Sequence, residues 1–402
     1  MLPIRAGSKQ LIREINQALV LNAIRTHGAI SRTDIAALSK LSLPTISGIT
    51  AELLESGLIY EREPGISTGG RRPVLLSLNH HAGYVVGVKL TEDMVIGAMT
   101  NLDATVVARH SVPLVGRLPA EAVAAISNVV EDLCAMTGER SLLGVGIGIA
   151  GVIDRQRALV HYATYFGWHD LPFAQLLEDK LHVPVVIDND VNALTAAEQW
   201  FGAGRGVKDF LVVSIGRGVG LGMVLDGRLY RGAKGGAGEF GHITVVPDGP
   251  LCECGKRGCL EAMVSDPVVS QRVSTAAGRP VTITEAVALA KHGDAVVQSI
   301  FTAAGRTLGM AAANLVNIFN PSLLIIGGEG TRAGDLIIEP LQAALRDECF
   351  NGMYADLKLA IEPWGDEAWA RGAASLVLSE LFQPALRRGE EERPSFAVRP
   401  AN

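Results

Sequence analysis

Within GEFGHITVVPDGPLCECGKRGCLE the chain spaces one histidine and three cysteines as His242-x9-Cys252-x-Cys254-x4-Cys259. One imidazole and three thiolates make a closed tetrahedral set for zinc. Gly255 and Gly258 let the backbone fold tightly enough for the three sulfurs to converge. Thiolate-rich ligation selects zinc over magnesium or calcium, and a closed set keeps no position for a catalytic water. The expectation is one structural Zn2+ per chain. The other two of the five cysteines, Cys134 and Cys349, stand alone, so this is no disulfide scaffold. The bland alternative is a group of free or redox thiols.

A second chemistry lies near the N-terminus. Ile46, Ile49 and Leu53 fall at i, i+3 and i+7 on one helix face, which would pack inward. On the opposite face Pro44, Thr45, Ser47 and Gly48 leave little bulk, so the helix could enter a major groove and meet base edges or phosphates. Arg71 and Arg72 follow Gly69 and Gly70, and two guanidiniums on a glycine-bearing tip suit phosphates or a narrow minor groove. The alternative is a three-helix bundle with a solvated arginine pair.

The elements needed to position these residues are legible in the periodicity. Residues 17–26, 32–39 and 43–57 read as three short helices. Ser31 with Asp34 makes a capping-box-like start for the second, and Ser42 caps the third, whose first turn tolerates Pro44. Residues 58–62 and 74–78 read as a hairpin with a Gly/Pro/Ser-rich tip. Three helices and a hairpin predict a winged helix-turn-helix over residues 1–78. Beyond it YVVGVKL, MVIGAMTNL and TVVARHSVPL read as an antiparallel meander, followed by a helix over 119–136. LLGVGIGIAG and VPVVID are continuous apolar runs, as strands buried on both faces would be. After a helix over 191–201 come a second meander, DFLVVSIGRGVGLGMVLDGRLYRG, a long helix over 303–319 and the strand SLLIIGG. The fold expected is α/β: the winged head, a first lobe over 79–190, a second lobe with the zinc loop over 191–385, and a frayed tail over 386–402.

The composition agrees. A chain of 402 residues, 48% hydrophobic and 19% charged, can bury a large core and divides into two or three domains. No apolar signal-peptide core and no long apolar run is present, which predicts a cytoplasmic protein with no membrane partner. The net charge of -6 hides an asymmetry. Residues 1–77 carry nine Lys/Arg against six Asp/Glu, and the remainder 27 against 36. A basic head on an acidic body fits DNA at one end and a neutral ligand at the other.

The zinc segment, together with DNDVNALTAAEQWFGAG and SIGRGVGLGMVLDGRLYRG, resembles the ROK family of repressors and sugar kinases. The winged head and TGGRRP resemble that of its xylose and N-acetylglucosamine repressors, and residues 80–385 resemble its two-lobed actin-like, hexokinase-like body. In sugar-bound members the hydroxyls are held by an Asn-Asp pair, a Glu-x-x-His and the Glu two residues past the last zinc cysteine. The resemblance implies Asn189 and Asp190, Glu239 and His242, and Glu261 for these roles, with Gly151 and Thr164 aligned more loosely. On this basis His242 serves zinc with one nitrogen and the sugar with the other. Carboxylates accept strong charge-assisted bonds from vicinal hydroxyls, which lets them compete with water for a polyol. An Asp-Asn-Asp on its own is commonly a loop or helix cap. The sequence departs from the family at Ala150, where Pro is frequent before Gly151.

The family divides into kinases and regulators, and Asp190 matches the general base of the kinases. Those kinases open their first lobe with Asp-x-Gly-Gly-Thr around the ATP phosphates. Here the segment reads GVKLTED: Lys89 replaces the Asp and Leu90, Thr91 and Glu92 fill the Gly-Gly-Thr region. In SIGRGVGLG, Arg217 stands where kinases usually carry Thr. The expectation is therefore no catalytic residue, and a sugar-responsive DNA-binding regulator whose partners are double-stranded operator DNA, a small sugar or sugar-phosphate effector and a second copy of the chain. An ATP-dependent sugar kinase with a DNA-binding head is the alternative, and a zinc-dependent or purely structural protein is a third.

Overall fold

The computed structural model describes residues 9–62, 73–138 and 141–382. The head is built from α1 (Lys9–His27), β1 (Ile30–Ser31), α2 (Arg32–Ser39), α3 (Leu43–Glu55), β2 (Ile59–Arg62) and β3 (Leu75–Leu78). Its helix starts are fixed by side chains. The backbone N–H of Asp34 donates to Ser31 Oγ at 3.1 Å, and that of Thr45 donates to Ser42 Oγ at 3.3 Å. Val20, Ile24, Ile35, Ile46, Leu53 and Leu76 are fully buried and form its core. β2 and β3 pair antiparallel with Ile59 opposite Leu78, and β1 adds to the other edge of β3 through Ile30 and Leu76. The sequence reading has no β1, because two residues carry no alternation to detect. This is a winged helix-turn-helix.

In the body the first unit holds β4 (Tyr84–Leu90), β5 (Met94–Thr100), β6 (Val106–Pro113), α4 (Pro119–Thr137) and β7 (Leu142–Ile149). After the short β8 (Val152–Asp154) follow β9 (Leu159–Ala163), β10 (Trp168–Leu171), α5 (Phe173–Leu181) and β11 (Val185–Asn189). A five-stranded sheet runs β11-β7-β4-β5-β6, with β4 and β5 antiparallel and β4 and β7 parallel. The unbroken apolar character of β7 follows from burial on both faces.

The second unit begins with α6 (Asp190–Phe201) and the strands β12 (Phe210–Ile215), β13 (Val219–Leu225) and β14 (Arg228–Leu229). Then come α7 (Glu261–Val264), α8 (Asp266–Ala277), α9 (Ile283–Lys291), α10 (Ala295–Phe319), β15 (Leu323–Gly327), α11 (Asp335–Glu348) and β16 (Lys358–Glu362). Its sheet runs β14-β13-β12-β15-β16, with β12, β15 and β16 parallel. One face is covered by a core that includes Leu211, Val213, Phe301, Leu308, Leu324, Ile326 and Leu341.

The last helix, α12 (Asp366–Phe382), belongs to both units. From Ala370 onward the chain clusters with the first unit, and Ala150–Ile153 clusters with the second, so the compact units are not the contiguous stretches 79–190 and 191–385. The physical reason is local. A Cβ on Gly87 would lie 1.9 Å from the Ala370 carbonyl oxygen and one on Gly146 1.9 Å from that of Ala373, so α12 rests directly on the backbone of β4 and β7. Only glycine permits that approach. The expected tail, residues 386–402, lies outside the described residues.

Candidate effector and metal site

The N-terminus of α6 sets the first two candidate residues. Asn189 caps the helix: its Oδ1 accepts from the backbone N–H of Val191 at 2.9 Å and of Asn192 at 3.2 Å. Its Nδ2 donates to the Gly151 carbonyl at 3.1 Å, which ties the 150–153 segment to this helix. Asp190 Oδ1 accepts from Val191 N–H at 3.0 Å. A carboxylate in a first helical turn is favoured by the positive end of the helix dipole.

Glu239 precedes a single 3-10 turn, Phe240–His242, anchored by the buried Phe240. Glu261 opens α7, and its Oε2 accepts from Val219 N–H at 3.0 Å. Burial pushes the Glu239 carboxyl up, His242 opposes this, and the charges of Asp190 and Glu261 add to it. The side chain is 47% exposed, so solvent screens part of the effect. The fold thus brings Asp190 and Glu261 close enough to Glu239 to act on its charge, with His242 Nε2 3.9 Å from Glu239 Oε2, and such a cluster of carboxylates can accept several hydroxyl hydrogens at once. Gly151 joins it through Asn189, whereas Thr164 belongs to the first unit, at the exposed turn between β9 and β10.

His242 also faces the cysteines. Its Nδ1 is 3.6 Å from Cys252 Sγ, Cys254 Sγ is 3.7 Å from Cys259 Sγ, and the four donor atoms lie within 4.8 Å of one another. Zinc–sulfur bonds of about 2.3 Å in a tetrahedron give sulfur–sulfur edges of about 3.8 Å, so the donor set fits zinc. The loop closes on itself through Cys252 N–H to Lys256 O at 2.8 Å and Gly258 N–H to Pro250 O at 2.8 Å. Gly258 has φ +70, and a Cβ there would sit 1.7 Å from Val246 O. Burial pushes the Cys252 thiol up to about 12. Burial acts on Cys254 in the same direction but is outweighed by the backbone N–H of Lys256 and by its sulfur neighbours, and its pKa falls. Thiols crowded in this way hold protons that a cation would replace.

The two turns that the sequence resemblance aligns with a kinase's phosphate loops have their own internal partners. In the β4–β5 turn, Thr91 N–H donates to Met94 O at 2.9 Å, and Met94 N–H donates to Thr91 Oγ1 at 3.0 Å. After β12, Gly216 faces Glu329, whose carboxylate oxygen would be 2.6 Å from a Cβ at that position. Arg217 makes an exposed ion pair with Glu253 of the cysteine loop at 3.5 Å. Sequence reasoning missed Glu329; the signal was an acidic residue inside the glycine run GGEG.

On the head, Pro44, Ser47 and Gly48 are exposed on α3 and Thr45 is half-buried, while Ile46, Ile49 and Leu53 point inward. The hydroxyls of Ser42 and Thr45 bond each other at 2.8 Å. Arg71 and Arg72 lie outside the described residues.

With this geometry in hand, known proteins give a consistent comparison. The sequence pattern of the ROK family matches residues 85–380, and that of the MarR family matches residues 14–64. The xylose repressor of Caldicellulosiruptor bescii is 32% identical over 392 residues, which cover 94% of this chain and 98% of the relative. The crystal structure of a ROK family transcriptional regulator, a homologue of the E. coli MLC protein, superposes with a TM-score of 0.83 at 26% identity, covering 92% of this chain and 97% of the other. A ROK family glucokinase from Streptomyces griseus, solved with glucose and AMPPNP, has a TM-score of 0.66 at 29% identity and covers 73% of this chain and 99% of its own. Among the described residues no helix is long and apolar enough to cross a membrane.

Proposed function

The chain belongs to the ROK family, and from that premise we propose that it is a sugar-responsive transcriptional repressor that binds its effector without phosphorylating it. The observation that carries this reading is the winged head, present in the same chain as a ROK body whose phosphate turn spends its polar groups on itself. The xylose repressor and the ROK regulator align along nearly the whole chain, head included, while the glucokinase aligns with 73% of it.

Asn189, Asp190, Glu239, His242 and Glu261 hold the sugar hydroxyls in this reading, with Gly151 contributed through Asn189 and Thr164 the more loosely aligned member of the set. His242, Cys252, Cys254 and Cys259 would hold one zinc ion, which when bound supplies a rigid cross-link of the 242–259 loop. The chain's own part is to keep Glu239 and Glu261, at either end of that loop, at a fixed separation. Pro44, Thr45, Ser47 and Gly48 enter the major groove, and Arg71 and Arg72 contact phosphates. Two copies present two heads to a palindromic operator in the cytoplasm. Sugar favours a state with weaker operator affinity, and by linkage DNA weakens sugar binding by the same factor.

Fluorescence anisotropy on a duplex selected by the wild-type protein from a random pool tests this, with D-xylose, D-glucose and N-acetyl-D-glucosamine as probes. Asp190→Ala leaves operator affinity near wild type and loses the sugar response, because a charged acceptor facing a polyol is worth about 1.5–3 kcal/mol, roughly one to two decades of affinity. Arg71→Ala does the reverse and flattens the salt dependence by about one phosphate contact. An Asp190→Ala protein that responds at wild-type sugar concentrations would show the pocket to be wrong.

A further inference from the structure

The chain passes between its two compact units at Ile149/Ala150, Ile153/Asp154, Asp188/Asn189 and Trp369/Ala370. One side chain gathers three of these four segments. Arg155, two residues past the second crossing, donates from Nη1 to Asp188 Oδ2 at 3.2 Å. Its Nη2 donates to Glu380 Oε1 at 2.7 Å and to the Leu376 carbonyl at 3.4 Å. Asp188 is the last residue before the third crossing, and Leu376 and Glu380 lie on α12, which carries the fourth. The side chains of Asp188, Arg155 and Glu380 are 0%, 15% and 34% exposed. Nothing in the assigned effector, metal or DNA sites uses this cluster.

Its two arms lead in different directions. Asp188 is joined directly to Asn189 and Asp190, at the end of β11. α12 starts in the second unit, where Trp369 packs with Trp364, Val212 and Ile325, and ends at the buried Phe382. The guanidinium of Arg25 lies 5.3 Å from the Phe382 ring centroid, and Arg25 is in the last turn of α1, the first helix of the winged head. A fully buried carboxylate parted from its cation is left uncompensated, so Asp188 and Arg155 move together rather than apart. The planar guanidinium grips both carboxylates in fixed directions, which a flexible ammonium would not do. Displacement of the β11 end is therefore passed to α12 instead of being absorbed.

We infer that Arg155 is the positioning residue that couples the effector pocket to the DNA-binding head, by clamping the strand end that carries Asn189 and Asp190 to the helix whose far end holds α1. This rests on the assignment of Asn189 and Asp190 to the sugar. The quantity that reports it is the coupling ratio, operator Kd with sugar over operator Kd without, which for allosteric proteins is roughly 5- to 150-fold.

The test compares wild type with Arg155→Lys, Arg155→Met and Glu380→Gln. It uses the selected duplex and whichever of D-xylose, D-glucose and N-acetyl-D-glucosamine raises the wild-type melting temperature most. Glu380→Gln keeps the Arg155–Asp188 pair and removes only a partly exposed charge, so it folds even where Arg155→Met, which strands Asp188, does not. Expected for Glu380→Gln is sugar affinity within about threefold of wild type in the absence of DNA, with the coupling ratio falling to near 1. Arg155→Lys restores part of the ratio lost in Arg155→Met when both fold. A cluster with a merely structural role lowers the melting temperature and leaves the ratio unchanged. A wild-type ratio in Glu380→Gln overturns the inference while leaving the pocket assignment standing. Failure of the pocket assignment is read separately, as unchanged sugar binding in Asp190→Ala.

Discussion

One imidazole ring serves two neighbourhoods. His242 turns Nδ1 toward Cys252 Sγ at 3.6 Å, and its Nε2 lies 3.9 Å from Glu239 Oε2. Any group that fixes the ring for the cysteines also fixes it for the carboxylates, much as a partner on the far nitrogen orients a ligating histidine. Cys254 is the exposed member of the set, whereas Cys259 is fully buried, so Cys254→Ser tests the metal with little disturbance of packing. Wild-type protein is expected to carry about one zinc per chain. Cys254→Ser is expected to lower both zinc content, by atomic absorption, and sugar affinity, by calorimetry, because the loop between Glu239 and Glu261 loses its cross-link. Metal-free protein that binds sugar normally would contradict this. The convergence of His242, Cys252, Cys254 and Cys259 was legible in the sequence because all four fall within one short segment, where spacing reports it. Arg155 and Glu380 are 225 positions apart, and Glu329 meets Gly216 across three strands, the cysteine loop and four α-helices. No local pattern reports such pairs.

Elements with strong periodicity or good caps were legible nearly to their ends. α2 and α3 start where Ser31 and Ser42 place them, and α4 runs one residue past its expected end. α10 begins at Ala295 rather than 303, because Asp294 caps it by accepting from Val296 and Val297 N–H. α5, β9 and β10 have four to nine residues each and no sustained period, so packing rather than local pattern decides them. α3 has both kinds of information: one face is fixed by burial and the other is left small. At Gly48 a Cβ would meet nothing within 4 Å, so this glycine is not required by the fold. Replacing it in a helix interior relieves up to about 1 kcal/mol. Gly48→Glu is therefore expected to leave urea stability unchanged or raised. Operator affinity should fall by about tenfold or more, since bulk and negative charge enter the face assigned to the groove. Unchanged operator affinity in this variant would remove the N-terminal half of α3 from the interface.

At the scale of the whole molecule, the body resembles that of a glucokinase and Asp190 matches the kinases' general base, so the proposal that this chain does not transfer phosphate is argued from the turns rather than from the Asp. In phosphoryl transfer the protein contributes mainly positioning and charge stabilisation of the phosphates. A carboxylate at the position of the general base is therefore not enough. At the β4–β5 turn, Leu90, Thr91 and Glu92 stand where the family resemblance puts the Gly-Gly-Thr of a kinase's first phosphate loop. The Met94 N–H in that turn is already donated to Thr91 Oγ1. In the second unit the Glu329 carboxylate lies against Gly216, where an incoming phosphate would meet like charge. Each of the two turns, taken by itself, disfavours a phosphate: the first by side chains and a satisfied backbone N–H, the second by a carboxylate. The expected outcome is a sugar that raises the melting temperature, AMPPNP with magnesium that does not, and no sugar-dependent ADP in a coupled assay. A ligand that binds only the folded state must stabilise it, so the absence of a nucleotide shift is informative in its own right. Turnover near about 1–100 per second, the usual range for kinases, would restore the enzyme reading and make the winged head an addition to a working kinase.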